Sequence, residues 1–391
     1  MYITYTICKE TLLYYMQIFK INYTITMKNI INFSDWQPSY DLFPIKLRKE
    51  LSFNYKDIKT FYHYSPKAWL ISTRKTFIKI FGWKNSNIDN CIITNWTLWW
   101  IELIVKSLGF GIIIIDEPTY ADAIDIFKKY WIKIICVPRD KFWNINFKLF
   151  GETLLKYHKK KINIWMYLIP TLNNPDWKCL NIVERKKITA LCIKYNIYCM
   201  EDDAYAYLIN DSWNLPSLYT IAWNKKSHRI IRLLSLSKIL MPGLRISFIE
   251  ANKDITDILL KNKLDYWYSP LDCYIAERLL SNIKWIKDWI WLIKKKSDDY
   301  IKYLVDIFKK NNININTPLG GYFLWINLGN KNILELEKIA LKNNICFTNG
   351  NNSFIQNKYN FIRICPMKLS KRDMKIWALK LIKSIKECKD F

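Results

Sequence analysis

Glycine is scarce in this chain. Nine glycines occur among 391 residues, where average usage of about 7% would give roughly 27. Tight turns must therefore be closed by other residues. The shortfall matches the 18 tryptophans in number. Several of them stand where turn chemistry favours glycine: Trp177 after Asn174-Pro175-Asp176, Trp36 before Gln37 and Pro38, and Trp96 after Asn95. Indole is a poor turn residue, so many of these positions are expected to be glycine in the living protein, as UGA codons decoded as glycine would give; the alternative is a genuinely tryptophan-rich chain. Histidine is also rare, with three residues, and the ten cysteines run from Cys8 to Cys388 without a C-x-x-C pair. That excludes a zinc ribbon and predicts reduced core thiols, with no metal site. No apolar run approaches the roughly 18 residues of a membrane span; the stretch 109–115 is too short. The first 29 residues mix Lys9, Glu10, Lys20 and Lys28 with apolar residues and lack a small-residue cleavage site. A cytoplasmic protein without a membrane partner is expected.

Acidic residues are outnumbered, 34 against 60 basic ones, for a formal charge of +26. Clustered lysines and arginines would point to nucleic acid. Here the clusters are small, at Lys159 to Lys161, Lys225 with Lys226, and Lys294 to Lys296. Lysine, asparagine and isoleucine are abundant throughout, so the charge is ascribed to nucleotide-composition bias.

The length suits one large and one smaller domain. Short β-branched runs at 88–94, 112–116, 132–137, 162–169, 197–201, 229–234 and 246–250 read as strands, and helical patterns fill 97–108, 120–130 and 183–195. This alternation predicts an α/β domain with a mostly parallel sheet and ligands at the carboxyl ends of its strands. After about residue 251 the pattern changes to a long helix over 283–311 with strands at 321–327 and 361–364, a smaller α+β domain. The expected division is an N-terminal extension over 1–26, a segment over 27–63 that joins the small domain, a large domain over 64–265 and the small domain over 266–391. The extension is too short for a winged helix, and Met27 is an alternative start.

The stretch Ser235-Leu-Ser-Lys238-Ile-Leu-Met-Pro242-Gly-Leu-Arg245 follows an apolar strand pattern and sets one lysine between two hydroxyls and an arginine. That suits a pyridoxal phosphate site, where an amine meets the cofactor aldehyde while hydroxyl and guanidinium groups hold a dianionic phosphate. A lysine after a strand is ordinary loop chemistry by itself. Further segments give it context: Tyr64 to Arg74, Thr94-Asn-Trp-Thr-Leu98, Asp116-Glu-Pro-Thr-Tyr120, Tyr167 to Trp177, Glu201-Asp-Asp-Ala-Tyr205, Gly320-Gly-Tyr-Phe-Leu-Trp325 and Asn360-Phe-Ile-Arg363. Taken singly, an acidic trio is often a helix cap, Tyr120 a core aromatic and a strand arginine a surface residue.

In this order and spacing the segments resemble the fold type I pyridoxal-phosphate-dependent aminotransferases, from about residue 31 to 386. The nearest group is the class I/II family that includes 2-aminoadipate and aromatic aminotransferase-like enzymes. The resemblance implies a seven-stranded, mostly parallel sheet sandwiched by helices, with a smaller α+β domain. It makes Lys238 the Schiff-base lysine and proton shuttle, with Ser235, Arg245 and Thr97 on the phosphate. Asp202 would pair with the pyridine nitrogen, Tyr205 and Asn174 would donate to the ring's phenolic oxygen, and Tyr120 would stack on the ring. Arg363 would bind the substrate carboxylate. Tyr64 would reach the phosphate of a neighbouring subunit, which implies a homodimer with shared sites. The activity implied is transfer of an amino group between an amino acid and a 2-oxo acid, with 2-oxoglutarate and glutamate as one pair. A lyase or racemase on the same fold, or a degenerate cofactor-binding regulator, is the alternative. Trp69, Trp96 and Trp177 fall on family glycine positions, whereas Trp325 falls on an aromatic one.

Overall fold

Four consecutive isoleucines, Ile112 to Ile115, can all be buried only in a strand covered on both faces, and none is more than 4% exposed. A computed structural model places them near the middle of the fold; it describes residues 31–32, 67–82, 86–94, 97–109, 111–140, 144–209, 215–223, 228–264, 269–313, 315–355 and 360–390. In chain order the strands are β1 (Ile31–Asn32), β2 (Cys91–Thr94), β3 (Ile112–Ile115), β4 (Lys133–Cys136), β5 (Ile164–Leu168), β6 (Tyr198–Asp202), β7 (Ile230–Ser235), β8 (Ser247–Glu250), β9 (Leu324–Asn327), β10 (Ile345–Cys346), β11 (Thr348–Asn349) and β12 (Phe361–Ile364).

Strands β2 to β8 form one seven-stranded sheet in the order β2-β8-β7-β6-β5-β3-β4. All neighbours are parallel except at β8, which runs antiparallel to both β2 and β7. Helices cover both faces. Thr97–Ser107, Ala121–Lys129 and Lys253–Asn262 bury Trp100, Ile104, Phe127 and Leu259 on one side, and Phe147–Lys159 and Ile182–Lys194 bury Phe150, Leu154 and Ile188 on the other. Each fully buried aliphatic or aromatic side chain contributes about 1.5–3 kcal/mol relative to exposure. The helix Ile182–Lys194 starts at a capping box, in which Asn181 accepts from the Glu184 N–H and Glu184 from the Asn181 N–H.

A three-stranded antiparallel sheet, β11-β12-β9, packs with the helices Ile283–Lys310, Ile333–Lys342 and Lys371–Glu387 around a separate core. The pair β1 and β10 is parallel, with Ile31 opposite Ile345. The strand expected from residue 321 begins instead at Leu324. Gly320 and Gly321 carry φ of 151° and 85°, and these positive angles turn the backbone before it extends.

Behind β6, β7 and β8 lies a buried ionic cluster. Arg232 donates through Nε to Asp203 at 2.8 Å, and through Nη1 to Glu250 at 2.7 Å and to the Phe81 carbonyl at 2.9 Å. The cluster ties the sheet to the helix Ile71–Phe81. Among the described residues no helix is long and apolar enough to cross a membrane, no His/Cys/Asp/Glu group could hold a metal, and nine cysteines are free thiols.

Candidate active site

The strands β2, β3, β5, β6 and β7 end on the same edge of the sheet, and the polar residues of the sequence motifs lie just past those ends. One cavity there is lined by Thr97, Tyr120, Ile169, Asn174, Asp202, Ala204, Tyr205, Ser235, Ser237, Lys238, Pro242, Arg245 and Arg363. Nine residues singled out from the sequence are thus brought together from segments more than 260 positions apart. Tyr64, Trp36 and Trp96 lie outside the described residues.

Lys238 ends a short 3-10 turn, Leu236–Lys238, which Ser235 opens by accepting the Ser237 N–H at 3.2 Å. Tyr322 fixes the backbone by donating to the Lys238 carbonyl. Burial, followed by the Arg363 and Arg245 charges, lowers the Lys238 ammonium to about 7. A large fraction of the amine is therefore neutral and nucleophilic near neutrality. Arg245 adopts φ of 53° after the turn Pro242–Leu244; it lines the cavity, and its Nη1 donates to the Pro242 carbonyl at 3.3 Å.

Asp202, the last residue of β6, is 4% exposed. Burial raises its carboxyl to about 6, while hydrogen bonds from Tyr167 and the Ala204 N–H oppose the rise. The Tyr167 hydroxyl donates to Oδ2 at 2.8 Å and the Ala204 amide to Oδ1 at 3.2 Å. Tyr167 is not a site residue that the sequence singles out; its one signal is a hydroxyl near the carboxyl end of an otherwise apolar strand. Ser237, Ile169, Ala204 and Pro242 are likewise additions made by the structure, although Ser237 stands in the lysine motif itself.

Arg363, from β12, reaches across to the large sheet. Its Nη1 donates to Asn174 Oδ1 at 2.8 Å, and its guanidinium lies 4.2 Å from the Phe323 ring. Nearby, Asn173 donates to the Pro118 carbonyl at 2.9 Å, and the Thr119 amide to the Ser353 carbonyl at 2.9 Å. The Asn173 bond links the turns after β5 and β3, while the Arg363 and Thr119 bonds tie β12 and the turn Gly350–Ser353 to the cavity edge. Tyr120 donates to Asp122 at 2.6 Å, and its ring packs with the core cluster on the face of Ile113 and Ile115.

The cavity joins two kinds of group. Thr97, Ser235, Ser237 and Arg245 are donors suited to a phosphate; Asp202, Tyr205 and Asn174 present an acid, a phenol and an amide, and Lys238 lines the same cavity. The sequence pattern of the family described as aminotransferase class I and II matches residues 100–381. The chain belongs to the class I and II aminotransferases. The family's cofactor is pyridoxal 5′-phosphate, and the donors present fit it: an amine for the aldehyde, a buried carboxylate for the ring nitrogen, and hydroxyl and guanidinium groups for the phosphate.

Among curated proteins, this aminotransferase is 26% identical over 319 residues to the HTH-type transcriptional regulator NorG of Staphylococcus aureus, covering 78% of this chain and 69% of that one. It is 31% identical over 240 residues to aromatic-amino-acid aminotransferase 1 of Thermococcus litoralis, covering 59% and 56%. The solved structure of LysN, an alpha-aminoadipate aminotransferase of Thermus thermophilus complexed with N-(5'-phosphopyridoxyl)-L-leucine, superposes with a TM-score of 0.80 at 22% identity over 92% of this chain and 93% of that one. At that identity the superposition speaks for the fold.

Proposed function

We propose that this transaminase moves an amino group between an L-amino acid and a 2-oxo acid, with glutamate and 2-oxoglutarate as one pair. The observation that carries the reading is the convergence of the Lys238 amine, the Asp202 carboxylate and the Arg363 guanidinium on one cavity. Bound pyridoxal phosphate would supply an electron sink and a temporary home for the amino group. The chain's own residues do the rest. Arg363 takes the α-carboxylate of the amino acid and so aims its Cα–H at Lys238. The Lys238 amine takes that proton at Nζ and returns it on the other side of the exchange. Asp202 would keep the ring nitrogen protonated, Tyr205 and Asn174 would donate to the phenolic oxygen, Thr97, Ser235 and Arg245 would hold the phosphate, and Tyr120 would lie against the ring.

The pairing of Ile31 with Ile345 supports assigning the segment 27–63 to a small domain over 266–391, apart from a large domain over 64–265. By the same resemblance the working unit is a homodimer in which Tyr64 completes the neighbouring site. The likeness to a transcriptional regulator gives a second reading, in which the site binds the cofactor and an amino compound without turnover.

Product analysis separates the readings. Cofactor-loaded protein given an amino acid without an acceptor is expected to release one 2-oxo acid per site and then stop until a second 2-oxo acid is added. A racemised amino acid, an eliminated side chain or no product would replace transamination with racemase, lyase or regulator.

A further inference from the structure

We propose that Tyr167 is a positioning residue that sets the charge and aim of Asp202. The inference rests on the reading of Asp202 as partner of the ring nitrogen. Tyr167 sits on β5, fully buried, with its ring 5.7 Å from Phe127 in an edge contact, so its hydroxyl has little freedom. Its phenol is held protonated, chiefly by burial, and it therefore acts as donor to Asp202 Oδ2. With the Ala204 amide on Oδ1, both carboxylate oxygens are oriented from the protein side. The groups facing Asp202 are Tyr167 from β5, Asp203 beside it, Lys238 past β7, and the Tyr120 and Tyr205 phenols. Removing one hydroxyl removes a bond that favours the charged carboxylate.

The test is Tyr167→Phe, which keeps the ring packing. The pH dependence of visible absorbance is recorded on cofactor-loaded protein, with kcat and KM measured beside it. The acid limb is expected to move to higher pH, with kcat reduced several-fold and KM for the amino acid unchanged. An unmoved profile in Tyr167→Phe, with a Lys238-dependent band in the parent protein, overturns this inference alone. Loss of that band in the parent overturns the reading of the site itself.

An independent observation concerns the tryptophans. Nine described residues other than glycine have positive φ, and three are tryptophan: Trp69 at 74°, Trp131 at 53° and Trp177 at 58°. Three others are asparagine, the residue that tolerates this region best after glycine. Trp131 follows the helix Ala121–Lys129. Its amide donates to Lys128 and that of Ile132 to Phe127, which is the Schellman ending whose left-handed residue is usually glycine. The side chain there is 94% exposed, so packing does not explain it. The corresponding residues after four other helices also have positive φ, and three of them are asparagine, Asn196, Asn312 and Asn344, with Lys161 the fourth. At Trp177 the indole packs on Tyr205 and Phe323, at 4.9 and 4.7 Å, and against Gly321, and its buried N–H has no hydrogen-bond partner among the described residues. Trp325 and Trp377 have no positive φ, and Trp325 stacks on Phe361 at 5.0 Å.

The geometry points to positions 69, 131 and 177 as glycines in the producing cell, through UGA decoded as glycine. Fragment masses of the tryptic peptide 162–178 from that cell are expected to show glycine at 177, and an indole there overturns the inference. Independently, Trp131→Gly in the recombinant chain is expected to raise the thermal midpoint, whereas Trp377→Gly lowers it. A fall with Trp131→Gly also overturns it.

Discussion

Burial places the Lys238 amine near neutrality, at about 7, with two guanidinium groups adding to the effect. Its neutral form grows as pH rises through that value. Capture of pyridoxal phosphate by apo-protein is therefore expected to accelerate between about pH 6 and pH 8 and then level off. Stopped-flow absorbance checks this, and a rate that goes on rising up to about pH 10, as for a solvated lysine, contradicts it. Arg363 allows a sharper test. Lysine keeps the charge but loses the planar fork, so Arg363→Lys is expected to raise KM for the amino acid roughly tenfold or more while cofactor affinity holds. Equilibrium titration of the cofactor beside steady-state kinetics separates the two effects; equal losses in both would place Arg363 in the scaffold.

Elements carry these residues because each active-site turn directly follows a buried strand. The alternation of apolar runs makes β2 to β8 legible, since β-branched stretches such as Ile112 to Ile115 have no other stable setting. The helices Ile71–Phe81 and Phe147–Lys159 are not legible in the same way. Gly151 interrupts the second, and the first begins after Leu70, which provides no side-chain cap. Site residues in motifs of fixed spacing can be named in advance, whereas Tyr167 and the Arg232 cluster depend on cross-strand neighbours that spacing does not reveal. Arg232→Met is expected to destabilise the fold by about 3–5 kcal/mol, because Asp203 and Glu250 would remain buried without their cation. Urea unfolding measures this. A loss below about 1 kcal/mol would mean that the carboxylates find other partners.

At the scale of the whole molecule, the large sheet and the small sheet meet at Arg363, Asn174 and the Thr119–Ser353 contact. The cavity is thus shaped by both bodies. The proposed homodimer adds Tyr64 from a second copy. Inactive Lys238→Ala and Tyr64→Ala proteins, unfolded and refolded together, are expected to regain activity through mixed dimers that hold one intact site. No recovery above either variant alone would make each site self-contained.

The most direct test of transamination is a visible-absorbance titration of the pyridoxal-phosphate-loaded protein with glutamate, run on the chain as written and with Trp36, Trp69, Trp96 and Trp177 changed to glycine. The account predicts a cofactor band that requires Lys238, disappears as glutamate donates its amino group, and returns when a 2-oxo acid is added. A band absent from both proteins, or unchanged by Lys238→Ala, would contradict it.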